Sequence, residues 1–102
     1  MAAYMLAICD ITNMNENMKE YAQLSAQLIQ DNNGKYLIRG PAAEGIEGEK
    51  LEGSYIVLTE FPTMENLKAF WQGDAYQEIK HLRDGTGTYH ISIYESPPPD
   101  KG

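Results

Sequence analysis

Two apolar segments decide the fold: residues 54–61 have the sequence SYIVLTEF, and residues 3–11 have the sequence AYMLAICDI. Side chains along a strand alternate between two faces. In both segments, large apolar side chains occupy both sets of alternating positions, and Glu60 is the charged exception in 54–61. The pattern predicts two strands of one sheet, with both faces of that sheet largely buried.

The segment 14–31 has the pattern of an amphipathic helix. Asn13 is a favourable N-cap with Glu16 three residues later, and Gly34 follows the segment, where glycine readily closes a helix. Apolar residues recur at three- and four-residue steps and form one stripe. These are Met14, Met18, Tyr21, Leu24, Leu28 and Ile29.

The remaining chain contains two more strands, two helical segments and a polar connection. Thr63 is a favourable N-cap for the first helical segment, and Gly73 separates it from the second. The predicted strands are 35–39 and 86–95, the predicted helical segments are 64–71 and 74 to about 83, and the polar connection is 42–53, with a short edge strand near 45–49.

The resulting order is strand, helix, strand, strand, helix, strand. This order is typical of the ferredoxin-like α+β fold, a four-stranded antiparallel sheet with helices on one face. A length of 102 residues suits one domain. We predict a single domain over 1–95, followed by a flexible, proline-rich C-terminal tail over 96–102.

Two helical segments cover only one face of such a sheet. An exposed apolar face would present several hundred Å² to water, and covering it is favourable by about 25 cal/mol per Å². A second copy related by a two-fold axis is the simplest cover. The sequence therefore predicts a homodimer with its sheets packed face to face, a dimeric α/β barrel. The alternative is a monomer in which the 42–53 connection folds over the open face.

Charge and cysteine content exclude several classes of partner. Eight basic and 15 acidic residues give a formal net charge of −7, which disfavours nucleic acids and anionic membrane surfaces. The single cysteine, Cys9, cannot form an intrachain disulfide. The sequence has neither the features of a signal peptide nor a long apolar span. We expect a cytoplasmic protein with no nucleic-acid or membrane partner.

Several stretches resemble a known family. They are YLIRG at 36–40, IEG at 46–48, VLTEFPTME at 57–65, Trp71 and YQEIKHLRDG at 76–85. In combination they resemble the domain of unknown function 1330 family, within the dimeric α/β-barrel superfamily. The resemblance implies a dimeric ferredoxin-like barrel. It implies no activity, because the wider superfamily includes cofactor-free monooxygenases, isomerases, haem enzymes and non-catalytic dimers.

Two charged residues at strand ends are candidates for catalysis. The planar guanidinium of Arg39 is suited to hold a carboxylate or enolate; the alternative is an ion pair with Glu60 or Glu47. Glu60 lies among apolar residues, where a carboxylate with a raised pKa can act as a general base. The alternative for Glu60 is a solvated or ion-paired side chain.

The second helical segment ends with further candidates. His81 is suited to proton transfer near neutral pH, and Arg83 is suited to bind an anion together with Arg39; the alternative is that both only balance the charge at a helix C-terminus. Phe61, Trp71 and Tyr76 are predicted to wall a small-molecule pocket between sheet and helices, or to be ordinary core.

Neither a metal nor a cofactor is expected. His81 and His90 lack the spacing of metal ligands, and no phosphate-binding loop precedes a helix. Cys9 is expected to be a small buried apolar residue.

Two classes of function are compatible with these residues, so whether the chain is an enzyme stays open. One is an enzyme that performs a cofactor-free oxidation or isomerisation of a small acidic or phenolic compound. The other is a non-catalytic structural or ligand-binding dimer. Convergence of Arg39, Glu60 and His81 on one cavity favours the first, and their separation favours the second.

Overall fold

The computed structural model describes residues 1–97; residues 98–102, which make up most of the predicted tail, lie outside the described residues. The strands are β1 (Ala2–Ile11), β2 (Lys35–Pro41), β3 (Tyr55–Phe61) and β4 (Gly87–Ser96). The helices are α1 (Glu16–Asp31), α2 (Met64–Trp71) and α3 (Asp74–Ile79), and a 3₁₀ helix (Lys80–Arg83) follows α3.

The four strands form one antiparallel sheet in the order β2-β3-β1-β4. The two apolar segments 3–11 and 54–61 therefore form the two central strands, β1 and β3. Leu6 pairs with Leu58 of β3 on one side and with Ser92 of β4 on the other. The ferredoxin-like α+β fold predicted from the sequence is confirmed.

The helices cover one face of the sheet, and the core lies beneath them. Alternate residues of β1 are buried on this face, Ala3, Met5, Ala7 and Cys9. Ala3 and Met5 pack with side chains from β3, α1, α2 and α3, and the fully buried members of this core are Ala3, Phe61, Leu67 and Tyr76. The strand periodicity of the sequence predicts this face correctly.

The opposite face of the sheet carries no helix and remains partly accessible. Its central residues Tyr4, Leu6 and Ile8 are half-buried, and so are Ile56 and Leu58, which face Ile8 and Leu6 across the β1–β3 pair. We call these five residues the open face. Ile38 and Tyr94 flank them on the edge strands and are about half exposed.

Some element boundaries differ from the predicted ones. The N-cap of α1 is Asn15 rather than Asn13, because the Asn15 side chain accepts a hydrogen bond from the Met18 amide at 2.9 Å. Met14 consequently lies outside the helix and is exposed. Near the other end of the chain, the helical segment predicted from 74 to about 83 divides into α3 and the 3₁₀ helix.

The β2–β3 connection also differs from expectation. Gly40 and Pro41 do not stop β2, since both pair with β3, and the Ala42 amide donates to the Ser54 carbonyl at 2.9 Å beyond them. The short strand predicted near 45–49 does not form; those residues are exposed turns and loop.

Candidate functional site

A cavity of about 490 Å³ lies between the helix-covered face of the sheet and the helices. Its lining is mainly apolar, a combination typical of small-molecule sites. Apolar side chains from both the sheet and the helices line it, and among them are Met5, Ala7, Val57, Ile91, Met18, Ile29 and Phe70.

The cavity opens where its lining residues are exposed to solvent. These residues lie at the end of β1, before α1, and along the β2–β3 hairpin: Asp10, Met14, Arg39, Pro41 and Gly53. Arg39 therefore lies at the mouth. Its guanidinium carbon lies 4.6 Å from the centroid of the Tyr36 ring.

Arg83 lines the same cavity beside β4 and is half-buried, and we call this side of the cavity the inner end. Its guanidinium carbon is 4.9 Å from the centroid of the Tyr89 ring and 5.9 Å from that of Tyr21. The Arg83 carbonyl accepts a hydrogen bond from the Thr86 amide at 3.2 Å, which fixes the backbone of the turn. The Nε atom is buried and has no hydrogen-bond partner among the described residues.

A tyrosine pair stands beside Arg83. The hydroxyl oxygens of Tyr21 and Tyr76 are 2.8 Å apart. One hydroxyl donates to the other, so one proton of the pair remains available for a ligand acceptor. Burial and the neighbouring Tyr76 hydroxyl raise the pKa of Tyr21, although Arg83 partly opposes this effect. Tyr21 is therefore a neutral hydrogen-bond donor at neutral pH, not a base.

The two arginines of the cavity have no acidic partner. The ion pairs among residues 1–97 are Lys19 with Glu16 at 3.4 Å and Lys35 with Glu60 at 3.3 Å, and neither pair involves Arg39 or Arg83. A buried or half-buried charge is costly unless an opposite charge compensates it. In a chain with a net charge of −7, the half-buried Arg83 without an ion-pair partner favours an anionic ligand, and Arg39 adds a second, solvent-exposed cation at the mouth.

Cys9 also lines the cavity. Burial raises the pKa of its thiol, and the nearby charge of Arg83 only partly reverses the shift. A protonated thiol is a poor nucleophile. Cys9 thus contributes a small apolar surface to the cavity wall near Arg83.

The structure brings together four of the seven residues predicted for the site: Arg39, Arg83, Trp71 and Tyr76 all line the cavity. Tyr76 is fully buried, and its ring centroid lies 4.9 Å from that of Trp71. The remaining three predicted residues lie elsewhere.

Glu60, His81 and Phe61 are outside the cavity lining. Glu60 pairs with Tyr4 across the β1–β3 ladder, on the open-face side of the sheet, and forms the ion pair with Lys35. His81 is an exposed residue of the 3₁₀ helix. Phe61 is fully buried in the core, with its ring centroid 5.8 Å from that of Phe70. Arg39, Glu60 and His81 therefore do not converge on the cavity.

Four tyrosines that line the cavity are not among the predicted site residues: Tyr21, Tyr36, Tyr55 and Tyr89. Tyr21 belongs to the predicted apolar stripe of the first helix, and that position alone does not show that its hydroxyl reaches Tyr76. Tyr36 and Tyr89 alternate with exposed neighbours along β2 and β4. The signal available was the number of tyrosines, seven in 102 residues, which is high for a purely apolar core.

No three His, Cys, Asp or Glu side chains within residues 1–97 come together as metal ligands. No helix in that range is both long and apolar enough to cross a membrane.

The fold and its cavity place the chain in a defined class, the ferredoxin-like α+β proteins with a pocket between sheet and helices. The family described as domain of unknown function (DUF1330) matches residues 2–97. The chain belongs to this family, as the resemblance of its sequence motifs implies. None of the curated proteins matches the chain.

Several solved structures have a similar fold. RPA0582, a protein of unknown function from Rhodopseudomonas palustris, is 16% identical, with a TM-score of 0.75 over 96% of this chain and 84% of that one. SnoaB, a cofactor-independent oxygenase from Streptomyces nogalater, is 5% identical, with a TM-score of 0.66 over 99% of this chain and 98% of that one.

A third similar structure is a dimeric ferredoxin-like protein of unknown function from Jannaschia sp. CCS1. It is 11% identical, with a TM-score of 0.62 over 94% of this chain and all of that one. At these identities the likeness establishes a shared fold and nothing finer.

Proposed function

We propose that this protein is a cytoplasmic homodimer that binds a small acidic or phenolic compound in the cavity of each protomer. The observation that carries the proposal is the environment of Arg83, a half-buried cation whose Nε has no partner and whose cavity is mainly apolar. A carboxylate or phenolate would supply the missing acceptor and the missing opposite charge.

The ligand is held by three kinds of contact. Arg83 binds the anionic oxygen, and the free proton of the Tyr21–Tyr76 pair donates to the same group. The Trp71 ring and the apolar floor pack against the body of the ligand. A cavity of about 490 Å³ has room for a compound of one or two aromatic rings.

Dimerisation occurs through the open face. Five half-buried apolar side chains lie together there, and no helix covers them. Packing the open faces of two copies together removes both patches from water. The dimeric ferredoxin-like protein from Jannaschia has the same fold, which supports this arrangement.

A second candidate function is a cofactor-free oxidation or isomerisation in the same cavity. The observation that favours it is the proximity of Arg83 to the Tyr21–Tyr76 pair, since a cation and hydroxyl donors stabilise the negative oxygen of an enolate or phenolate. Glu60 and His81 lie outside the cavity, so a base for this reaction has to come from the substrate itself or from Asp10 at the mouth. The oxygenase SnoaB has the same fold.

Calorimetric titration tests the proposed binding with 2-naphthoate and its neutral isostere, 2-naphthamide. The native protein is expected to bind the acid about tenfold more tightly than the amide, because a hydrogen bond to a charged group adds about 1.5–3 kcal/mol. Arg83→Gln should remove this preference. Lys19→Gln, which removes one positive charge outside the cavity, should retain it. Equal affinity of the native protein for acid and amide would contradict the proposal.

A further inference from the structure

The cavity contains two cations, and the anion proposed above accounts for only one of them. Arg39 lies at the mouth and Arg83 at the inner end, and no carboxylate pairs with either among residues 1–97. A ligand with one acidic group, bound at Arg83, would leave the exposed Arg39 guanidinium at the mouth without an anionic partner.

The sheet sets the distance between these two cations. Arg39 belongs to β2, one edge strand, and its guanidinium packs on Tyr36 of the same strand. Arg83 packs on Tyr89 of β4, the opposite edge strand. Three interstrand spacings separate β2 from β4, or about 14 Å. Since each guanidinium packs on a tyrosine of a different edge strand, a single carboxylate is expected to reach only one of the two cations.

The surface between the cations is apolar. Val57 of β3 and Ala7 of β1 pair directly, and both line the cavity between the two edge strands. The tyrosine rings under each guanidinium leave the hydrogen-bonding edge of the arginine free, because stacking uses the face of the group and not its N–H donors.

Resting on the proposed function, we propose that the ligand is an elongated compound with an acidic group at each end and a flat apolar body between them. The inner acid binds Arg83 and the Tyr21–Tyr76 pair, and the outer acid binds Arg39. Allowing about 2.8 Å for each charge-assisted contact, the two acidic groups lie roughly 8 Å apart. Arg39 then distinguishes ligands by the distance between their two acidic groups, whereas Arg83 distinguishes acidic ligands from neutral ones.

Rigid aromatic di-acids of increasing length test this inference: terephthalate, naphthalene-2,6-dicarboxylate and biphenyl-4,4′-dicarboxylate. Each is compared by calorimetry with its mono-acid, which is benzoate, 2-naphthoate or biphenyl-4-carboxylate. Naphthalene-2,6-dicarboxylate matches this separation and is expected to bind about tenfold more tightly than its mono-acid. Terephthalate is too short and biphenyl-4,4′-dicarboxylate is too long, so both should show smaller advantages. A di-acid gains at most twofold merely from having two equivalent ends.

Two variants test whether Arg39 binds the outer acidic group. In Arg39→Gln the affinity of naphthalene-2,6-dicarboxylate should fall to that of 2-naphthoate. In Lys19→Gln, which removes the same charge at an exposed position of α1, the advantage of the di-acid should persist. Because the protein has a net charge of −7, general electrostatic attraction cannot produce an advantage for the dianion.

The results separate this inference from the proposed function. If the mono-acids bind and no di-acid gains more than twofold, or if the advantage survives in Arg39→Gln, the two-ended ligand is refuted and the acidic pocket remains. If none of the six compounds binds, the proposed function fails, and the inference fails with it.

Discussion

The tyrosine pair in the cavity allows a prediction that depends on burial. Tyr76 is 1% exposed, Tyr21 is half-buried, and their hydroxyl oxygens are 2.8 Å apart. Tyr21→Phe leaves the Tyr76 hydroxyl buried without a protein partner. Tyr76→Phe leaves the Tyr21 hydroxyl where water in the cavity can reach it. We therefore expect the two single substitutions, which remove the same hydrogen bond, to have unequal effects on stability.

The magnitudes follow from the cost of an unpaired buried hydroxyl. Tyr21→Phe should lower the free energy of unfolding by about 1–3 kcal/mol, and Tyr76→Phe by about 0.5–1.5 kcal/mol. The double variant should be less destabilised than the sum of the two, because it leaves no unpaired hydroxyl. For a domain of this size, 1 kcal/mol corresponds to about 4–8 °C in Tm.

Urea unfolding at pH 7 and one fixed protein concentration measures these differences. Fixed concentration is required because dimerisation contributes to apparent stability. Equal costs for the two single substitutions would refute the burial argument. Strict additivity in the double variant would refute the coupling of the two hydroxyls.

Three further predictions concern the dimer, the packing under α1 and the cavity thiol. Leu58→Asp places a charge on the open face and should give a monomer or an insoluble chain in sedimentation. The control Gln23→Asp, on the exposed side of α1, should stay dimeric. A soluble dimer of the Leu58 variant would contradict the proposed interface. Gly34→Ala should lose about 1–3 kcal/mol of stability in urea unfolding, because the new Cβ would lie 2.7 Å from the side chains of Ile29 and Phe61. In the control Gly45→Ala, the new Cβ meets no atom closer than 3.4 Å. Equal stability of the two variants would contradict this packing. The Cys9 thiol should react with iodoacetamide more slowly than a free thiol at pH 8, because burial raises its pKa and keeps it protonated. Its rate should still be rising above pH 9.0, the ordinary pKa of the group. Mass spectrometry follows the modification, and a rate that levels off below pH 9 would contradict the raised pKa.

Strand periodicity was sufficient to predict the sheet and its two faces. The alternation of β1 separates Met5, Ala7 and Cys9 from Leu6 and Ile8, and the structure buries the first set under the helices. This success has a physical basis, because side chains two residues apart in a strand share a face regardless of the rest of the fold.

The site was less predictable because it depends on register between strands. Glu60 is a charged residue in an apolar strand, a pattern that favours a catalytic role. In the structure, however, it lies on the opposite face of the sheet from Arg39. Arg39 pairs with Val57, three residues from Glu60, and an irregularity between Tyr36 and Ile38 sets that pairing. A bulge shifts one strand against its partner, and no sequence pattern located it.

Helix ends and long-range contacts account for the other differences. The change from α3 to a 3₁₀ helix determines where His81 and Arg83 lie, and these two residues differ in exposure although they are close in sequence. The contact between Tyr21 and Tyr76 joins residues 55 positions apart. Helix periodicity predicts that both tyrosines face inward, and only the packing of α1 against α3 brings their hydroxyls together.

The most direct measurement is a crystal structure of the protein with 2-naphthoate bound. We predict that the naphthalene ring lies in the cavity against Trp71, and that the carboxylate lies within hydrogen-bond distance of the Arg83 guanidinium. A ligand bound on the open face, or one in the cavity whose carboxylate points away from Arg83, would contradict the account.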